Sequence, residues 1–194
     1  RVMSMLASVV PDMEVYSVDE AFLHLHGIDN LEDYCRHIVK TTTKCSGIPV
    51  SIGVAPTKTL GKIANHFAKK YTGYKQVCII DSEEKRIKAL QKTDIGEVWG
   101  IGRRHRKMLE YHDIKTAYDF TQKSRSWVRS KMTVIGERTW LELQGIPCID
   151  KDDLSSEKQQ ICTSRSFGQP ITDYTNLLES IATLASLCTA KLRK

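Results

Sequence analysis

The chain has 194 residues, enough for one substantial core or two small ones. Lysine and arginine number 29 against 23 aspartates and glutamates, a formal charge of +6 with a pI near 9.0, which suits a polyanionic partner. No apolar run approaches the length of a membrane span, and no signal-peptide pattern is present. Six cysteines (Cys35, Cys45, Cys78, Cys148, Cys162, Cys188) are scattered without a C-x-x-C pair. That usage points away from zinc and a disulfide framework, and towards a reducing compartment. The chain opens on Arg1 and ends on Lys194 within a helical pattern, so it is expected to be a piece of a longer protein.

Residues 14–18 and 21–26 read as a hairpin whose connection contains Asp19 and Glu20. Neighbours in a straight strand point to opposite faces, but at a turn two side chains can lie together. Two adjacent carboxylates repel unless a cation sits between them, and hard divalent ions such as Mg²⁺ favour carboxylate oxygen. Val15, Val18, Phe22, Leu23 and Leu25 flank the pair, which predicts a turn at the end of buried strands; a solvated turn is the bland alternative. Leu31, Tyr34, Cys35, Ile38 and Val39 fall at helical spacing, predicting an amphipathic helix to about Lys44. Residues 49–55 read as a strand. Thr57 then caps a helix running to about Lys70, and 76–80 is a further strand. The order ββαβαβ predicts an α+β sheet with helices packed on one face.

From 82 to 145 no strand signal appears. Short helices alternate with glycine turns at Trp99-Gly100-Ile101-Gly102 and at Val134-Ile135-Gly136, predicting a small all-helical block. Residues 149–160 are polar and read as a linker. A strand-like run at 161–167 and a helix from Asn176 onward read as the start of a third domain.

On the helix at 57–70, Lys58, Lys62, Asn65 and Lys69 share one stripe, while Leu60, Ile63, Ala64 and Phe67 lie opposite. Five lysines (Lys58, Lys62, Lys69, Lys70, Lys75) occur between Gly53 and Ile80 with no acid among them. A merely solvated face interleaves both signs, so a row of cations holding a triphosphate or a phosphate backbone competes with that reading. Gly100 and Gly102, followed by Arg103, Arg104, Arg106 and Lys107, put glycines and cations at a helix N-terminus, where unpaired N–H groups attract phosphate. Cations there oppose the helix dipole, which favours a phosphate-gripping helix–hairpin–helix over a plain turn. The stretch 123–131 (Lys123, Arg125, Arg129, Lys131, around Trp127) is also free of acids. The six histidines show no metal-ligand spacing with cysteine. Ser17 has no base at a recognisable spacing, and Trp99, Trp127 and Trp140 read as packing residues.

The stretches 14–22 (Glu-Val-Tyr-Ser-Val-Asp-Glu-Ala-Phe), 51–65 (Ser-Ile-Gly-Val-Ala-Pro-Thr-Lys-Thr-Leu-Gly-Lys-Ile-Ala-Asn), 66–70, 98–104 and 162–168 resemble, in this order, the Y-family translesion DNA polymerases, and within them the UmuC-like group. The resemblance spans nearly the whole chain. It implies a polymerase palm with a ferredoxin-like sheet at 1–80, a helical thumb at 81–148, and a little-finger domain beginning at 161–194 after the linker. It implies error-prone synthesis across damaged DNA in the SOS response, with two Mg²⁺ ions as cofactors. Asp19 and Glu20 match two of the three metal-binding carboxylates, and Lys69 matches the lysine on the incoming triphosphate. Lys58 and Lys62 match basic positions of the same helix. Gly100, Gly102, Arg103 and Arg104 match the thumb hairpin on the duplex backbone, and Ser164, Arg165 and Ser166 match a DNA-lining strand. Primer-template DNA and a deoxynucleoside triphosphate are the implied substrates. A UmuD-type subunit, RecA and the sliding clamp are the implied partners, in a bacterial cytoplasm, nucleoid-associated and without membrane contact. The family's remaining catalytic Asp, its aromatic steric gate, its fingers and its clamp-binding tail have no match in these residues, so the chain by itself is expected not to polymerise. Two rivals remain at this stage. A nucleotide cyclase would not need the helical block, and a non-catalytic DNA-binding module leaves Asp19 and Glu20 unexplained.

Overall fold

In the computed structural model, which describes residues 2–150 and 160–193, an unanticipated helix α1 (Val2–Val9) precedes the hairpin. The Tyr34 hydroxyl ties it to the next helix by donating to the Val9 carbonyl at 2.6 Å. β1 (Met13–Val15) pairs antiparallel with β2 (Ala21–Leu23), with Glu14 opposite Phe22. The connection closes tightly because the N–H groups of Tyr16 and Ser17 both donate to the Glu20 carbonyl at 3.0 Å. Val15 is 57% and Val18 95% exposed, so this turn projects into solvent rather than ending buried strands.

α2 (Leu31–Ser46) stops at Gly47, whose φ of 74° lets its N–H return to the Thr43 carbonyl at 2.9 Å. β3 (Ile52–Val54) and β4 (Val77–Ile79) pair in parallel, joined through α3 (Lys58–Lys70). A parallel pair needs such a crossover. β3 presses directly on α3: a Cβ on Gly53 would stand 2.0 Å from the Asn65 nitrogen and 2.4 Å from the Gly61 carbonyl oxygen. The element order is the expected one, but the strands make two separate two-stranded ladders instead of one sheet. Strand content is a local property, whereas pairing is decided by contacts between distant residues.

The helical block contains α4 (Glu83–Lys92), α5 (Arg103–Tyr111), α6 (Ala117–Thr121) and α7 (Arg125–Leu143). α6 starts with a capping box in which Thr116 and Asp119 satisfy each other's N–H groups. α7 is broken at Thr133 (φ 64°, ψ −166°), so the second glycine turn interrupts one helix, with Gly136 held against Met132. One strand-like bridge, Asp94 to Thr116, occurs in this block among the described residues. The predicted apolar face of α3 is buried as expected, and Leu60, Ile63, Ala64 and Phe67 share a single core with Leu109, Phe120 and Leu143. Trp127 and Trp140 pack against that core, while Trp99 packs on the hairpin aromatics Tyr16 and Phe22.

Arg1–Lys151 form one compact unit and Asp152–Lys194 another. The second contains α8 (Tyr174–Leu192), capped by Asp173, whose carboxylate accepts the Asn176 N–H at 2.9 Å. Residues 161–167 carry no regular secondary structure and pair with no strand among the described residues, so the predicted strand is not formed there. An extended segment becomes a strand only when a neighbour supplies the ladder. Most of the predicted linker, 151–159, lies outside the described residues.

Candidate functional site

The hairpin and α3 face one another, and their charges meet in rungs. Lys58 and Lys62, one helical turn apart, reach Glu14 and Glu20. Lys62 Nζ donates to both Glu20 carboxylate oxygens, at 2.7 and 2.8 Å. Lys58 Nζ donates to Glu14 Oε2 at 2.7 Å, and His24 Nε2 lies 2.7 Å from Glu14 Oε1. Glu14 is 6% exposed. Burial works to raise its pKa, but the hydrogen bonds and charges of Lys58 and His24 outweigh that and hold the carboxyl below its ordinary range.

Asp19 sits exposed at the tip. The Ser17 hydroxyl donates to Asp19 Oδ1 at 2.6 Å. That bond, helped by the charges of Lys62 and Lys69, keeps the Asp19 carboxyl below its ordinary range. Ser17 therefore serves as an orienting donor to this acid. No ion pair engages Lys69 among the described residues.

Trp99, immediately before the first glycine turn, closes the arrangement. Its Nε1–H donates to the Tyr16 hydroxyl at 3.0 Å, and its ring meets Tyr16 edge-on with centroids 5.4 Å apart. Gly100 needs its glycine, because its φ is +91° and a Cβ would lie 3.0 Å from Thr139 Oγ1. Gly102 caps α5 with an ordinary φ of −79°, and the space where its Cβ would stand is open. Arg103 and Arg104 are exposed on the first turn of α5 and pair with no acid among the described residues. Arg106 is committed elsewhere, to Asp94 at 3.3 Å and Glu110 at 2.7 Å.

Not every predicted cation is free. Arg125 and Arg129 both bond Glu137, which is 4% exposed, so two of the four cations in the acid-free stretch at 123–131 are paired from further along the chain. Lys58 and Lys62 likewise face acids from the hairpin rather than open space. Ser164, Arg165 and Ser166 lie exposed in the second unit, outside any helix or strand. Glu14, Tyr16 and Trp99 escape sequence reasoning as site residues. For Glu14 the one available signal is strand alternation, which turns it inward beside Phe22's register.

Asp19 and Glu20 offer hard oxygen donors suited to Mg²⁺, which retains water and substrate oxygens for its remaining positions. Among the described residues no group of three His, Cys, Asp or Glu side chains gathers around one point.

Residues 1–66 match the model of the impB/mucB/samB family. Over its whole length the chain is 39% identical to protein UmuC of Salmonella typhimurium, covering 47% of that protein. The chain is thus similar to UmuC-like proteins. It is 25% identical to DNA polymerase IV 1 of Mesorhizobium japonicum, again over its full length and 44% of that protein. Among solved structures it resembles DinB from Sulfolobus solfataricus (26% identity, TM-score 0.59, covering 74% of this chain and 42% of that one). It also resembles an insertion ternary complex of Dbh DNA polymerase (25%, TM-score 0.59, covering 81% and 44%). The chain thus spans about half the length of the relatives it matches. No helix among the described residues is long and apolar enough to cross a membrane.

Proposed function

We propose that this chain carries part of the catalytic and DNA-gripping apparatus of a translesion DNA polymerase. The supporting observation is the hairpin tip: Asp19 and Glu20 face the lysine stripe of α3, and the Gly100 turn is hydrogen-bonded to that hairpin through Trp99 and Tyr16. Relatives named DNA polymerase IV and a neighbour solved as a polymerase ternary complex favour the same reading. In it, 1–80 belong to the palm, 81–148 to the thumb, 149–160 to a linker and 161–194 to a little finger.

Asp19 and Glu20 would hold Mg²⁺, two ions by family resemblance, through their carboxylate oxygens. When bound, the ions offset charge on the attacking and leaving oxygens of nucleotidyl transfer. Ser17 orients Asp19 and keeps it ionised. Lys69, the lysine of the stripe without an ion pair among the described residues, meets the triphosphate. Gly102, with its open flank, and Arg103 and Arg104 meet the duplex backbone, a contact indifferent to sequence. Ser164, Arg165 and Ser166 line DNA from the little finger. Primer-template DNA and a deoxynucleoside triphosphate are the substrates. By family resemblance the setting is the SOS response in the bacterial cytoplasm and nucleoid, with a UmuD-type subunit, RecA and the sliding clamp as partners. Residues 1–194 alone do not extend a primer.

The test uses the full-length protein. Asp19→Ala and Glu20→Ala each abolish primer extension while DNA affinity stays largely intact, as measured by extension and by fluorescence anisotropy on a primer-template. Normal extension by either variant rejects the metal assignment. A parallel loss of DNA affinity would instead make the acids part of the DNA grip or of the fold.

A further inference from the structure

Lys62 is held by a carboxylate and two aromatic rings. Its ammonium gives two hydrogen bonds to the two oxygens of Glu20, at 2.7 and 2.8 Å. The same nitrogen lies 4.9 Å from the Tyr16 ring centroid and 5.7 Å from that of Trp99. Both rings attract a cation through their negative faces. Tyr16, Phe22 and Trp99 brace one another, with centroids 5.4 to 5.8 Å apart, and the Trp99 to Tyr16 hydrogen bond locks the pair. The lysine side chain is 24% exposed, so its geometry is set by packing on several sides. Nothing in the sequence pattern distinguishes it from Lys69, which has no such cradle.

We infer that Tyr16 and Trp99 form an aromatic box that seats the Lys62 ammonium on Glu20 as a built-in counter-ion, and that this ammonium competes with a divalent cation for the Glu20 oxygens. The inference rests on the proposed role of Asp19 and Glu20 and reassigns Lys62 from a triphosphate contact to a positioning residue. Its chemical basis is simple. Two ammonium hydrogens occupy the carboxylate oxygens that a metal ion needs, and two cations at one carboxylate repel. The arrangement keeps the exposed hairpin neutralised until metal arrives. It also fastens the metal carboxylate to the backbone-gripping turn, because Trp99 precedes Gly100 directly.

The test measures Mn²⁺ affinity of the full chain by calorimetry, with Mg²⁺-dependent tryptophan emission as a second readout. Lys62→Met is expected to bind Mn²⁺ about fivefold more tightly, the scale of one partly exposed ion pair. Lys69→Met, the same charge change without the Glu20 contact, should alter affinity less than about twofold. Trp99→Leu leaves charge unchanged and should fall between them, while Trp99→Phe, which keeps a ring, should stay near wild type; thermal melts establish that both remain folded. Adding Mg²⁺ should shift emission in the wild type and not in Lys62→Met. Equal effects of Lys62→Met and Lys69→Met, or an unchanged Lys62→Met, overturn the inference while metal binding that vanishes in Glu20→Gln leaves the polymerase reading standing. Binding indifferent to Glu20→Gln and Asp19→Asn rejects both.

Discussion

Glu142 is the acid on which the helical block and the hairpin-facing helix depend together. It is 1% exposed on α7, and its two carboxylate oxygens accept from two separate backbone amides. Oε2 takes the Thr59 N–H at 2.9 Å in the first turn of α3, and Oε1 takes the Cys148 N–H at 2.7 Å. Its own carbonyl accepts the Thr57 hydroxyl at 2.8 Å. The first turn of α3 contains no acid, so Glu142 is the negative charge at that helix N-terminus. Glu142→Gln keeps shape and volume but turns one acceptor into an NH₂ donor facing an N–H. The loss is one hydrogen bond to a charged group, about 1.5–3 kcal/mol, plus the helix-dipole contribution of about 0.3–1 kcal/mol. A total of roughly 2–4 kcal/mol should lower Tm by roughly 5–15 °C at this chain length. Urea titration followed by far-UV circular dichroism, with a parallel thermal melt, measures it. A loss below about 1 kcal/mol would refute the idea that this carboxylate clamps α3, and would mean that the amides find water or another acceptor.

Gly53→Ala should cost about 3 kcal/mol or more by denaturant titration, because its Cβ meets α3 backbone at 2.0–2.6 Å and the helix must move to admit it. Lys58→Met should cost about 3 kcal/mol at neutral pH, since it leaves the buried Glu14 charge with His24 alone. The Glu14 pKa is lowered in the fold, so its contribution is fully present above the ordinary glutamate value of 4.5 and is lost as pH falls through the folded value. An acid titration of wild type should show that loss, and one in which Lys58→Met is equally acid-sensitive would contradict the pairing. The double variant Arg103→Ala/Arg104→Ala should reduce the slope of log K against log salt for duplex DNA by ~1.8, two contacts at ~0.9 each, equally on two unrelated sequences. Burial pushes the Cys35 thiol up to about 11, so native protein at pH 8 should leave Cys35 unalkylated by iodoacetamide until denaturant is added, as peptide mapping would show.

Sequence periodicity determined α2 and α3 and which face of α3 turns inward. The stripe of Leu60, Ile63, Ala64 and Phe67 is buried as read, and Thr57 caps α3 as read. The Asp19-Glu20 pair was equally legible, because two acids at a turn between strands is a local pattern. Tertiary structure alone decided what those charges face. Lys62 and Glu20 are 42 residues apart, Lys58 and Glu14 are 44, and Trp99 and Tyr16 are 83, and no periodicity links residues at such separations. The same holds for Arg125 and Arg129, read as an acid-free patch until Glu137 folds back across the break at Thr133. The physical reason is one of range. Helix and turn preferences arise from neighbours within about one turn, whereas the partner of a charge is settled only when burial brings distant segments together and each desolvated ion must find its counter-ion.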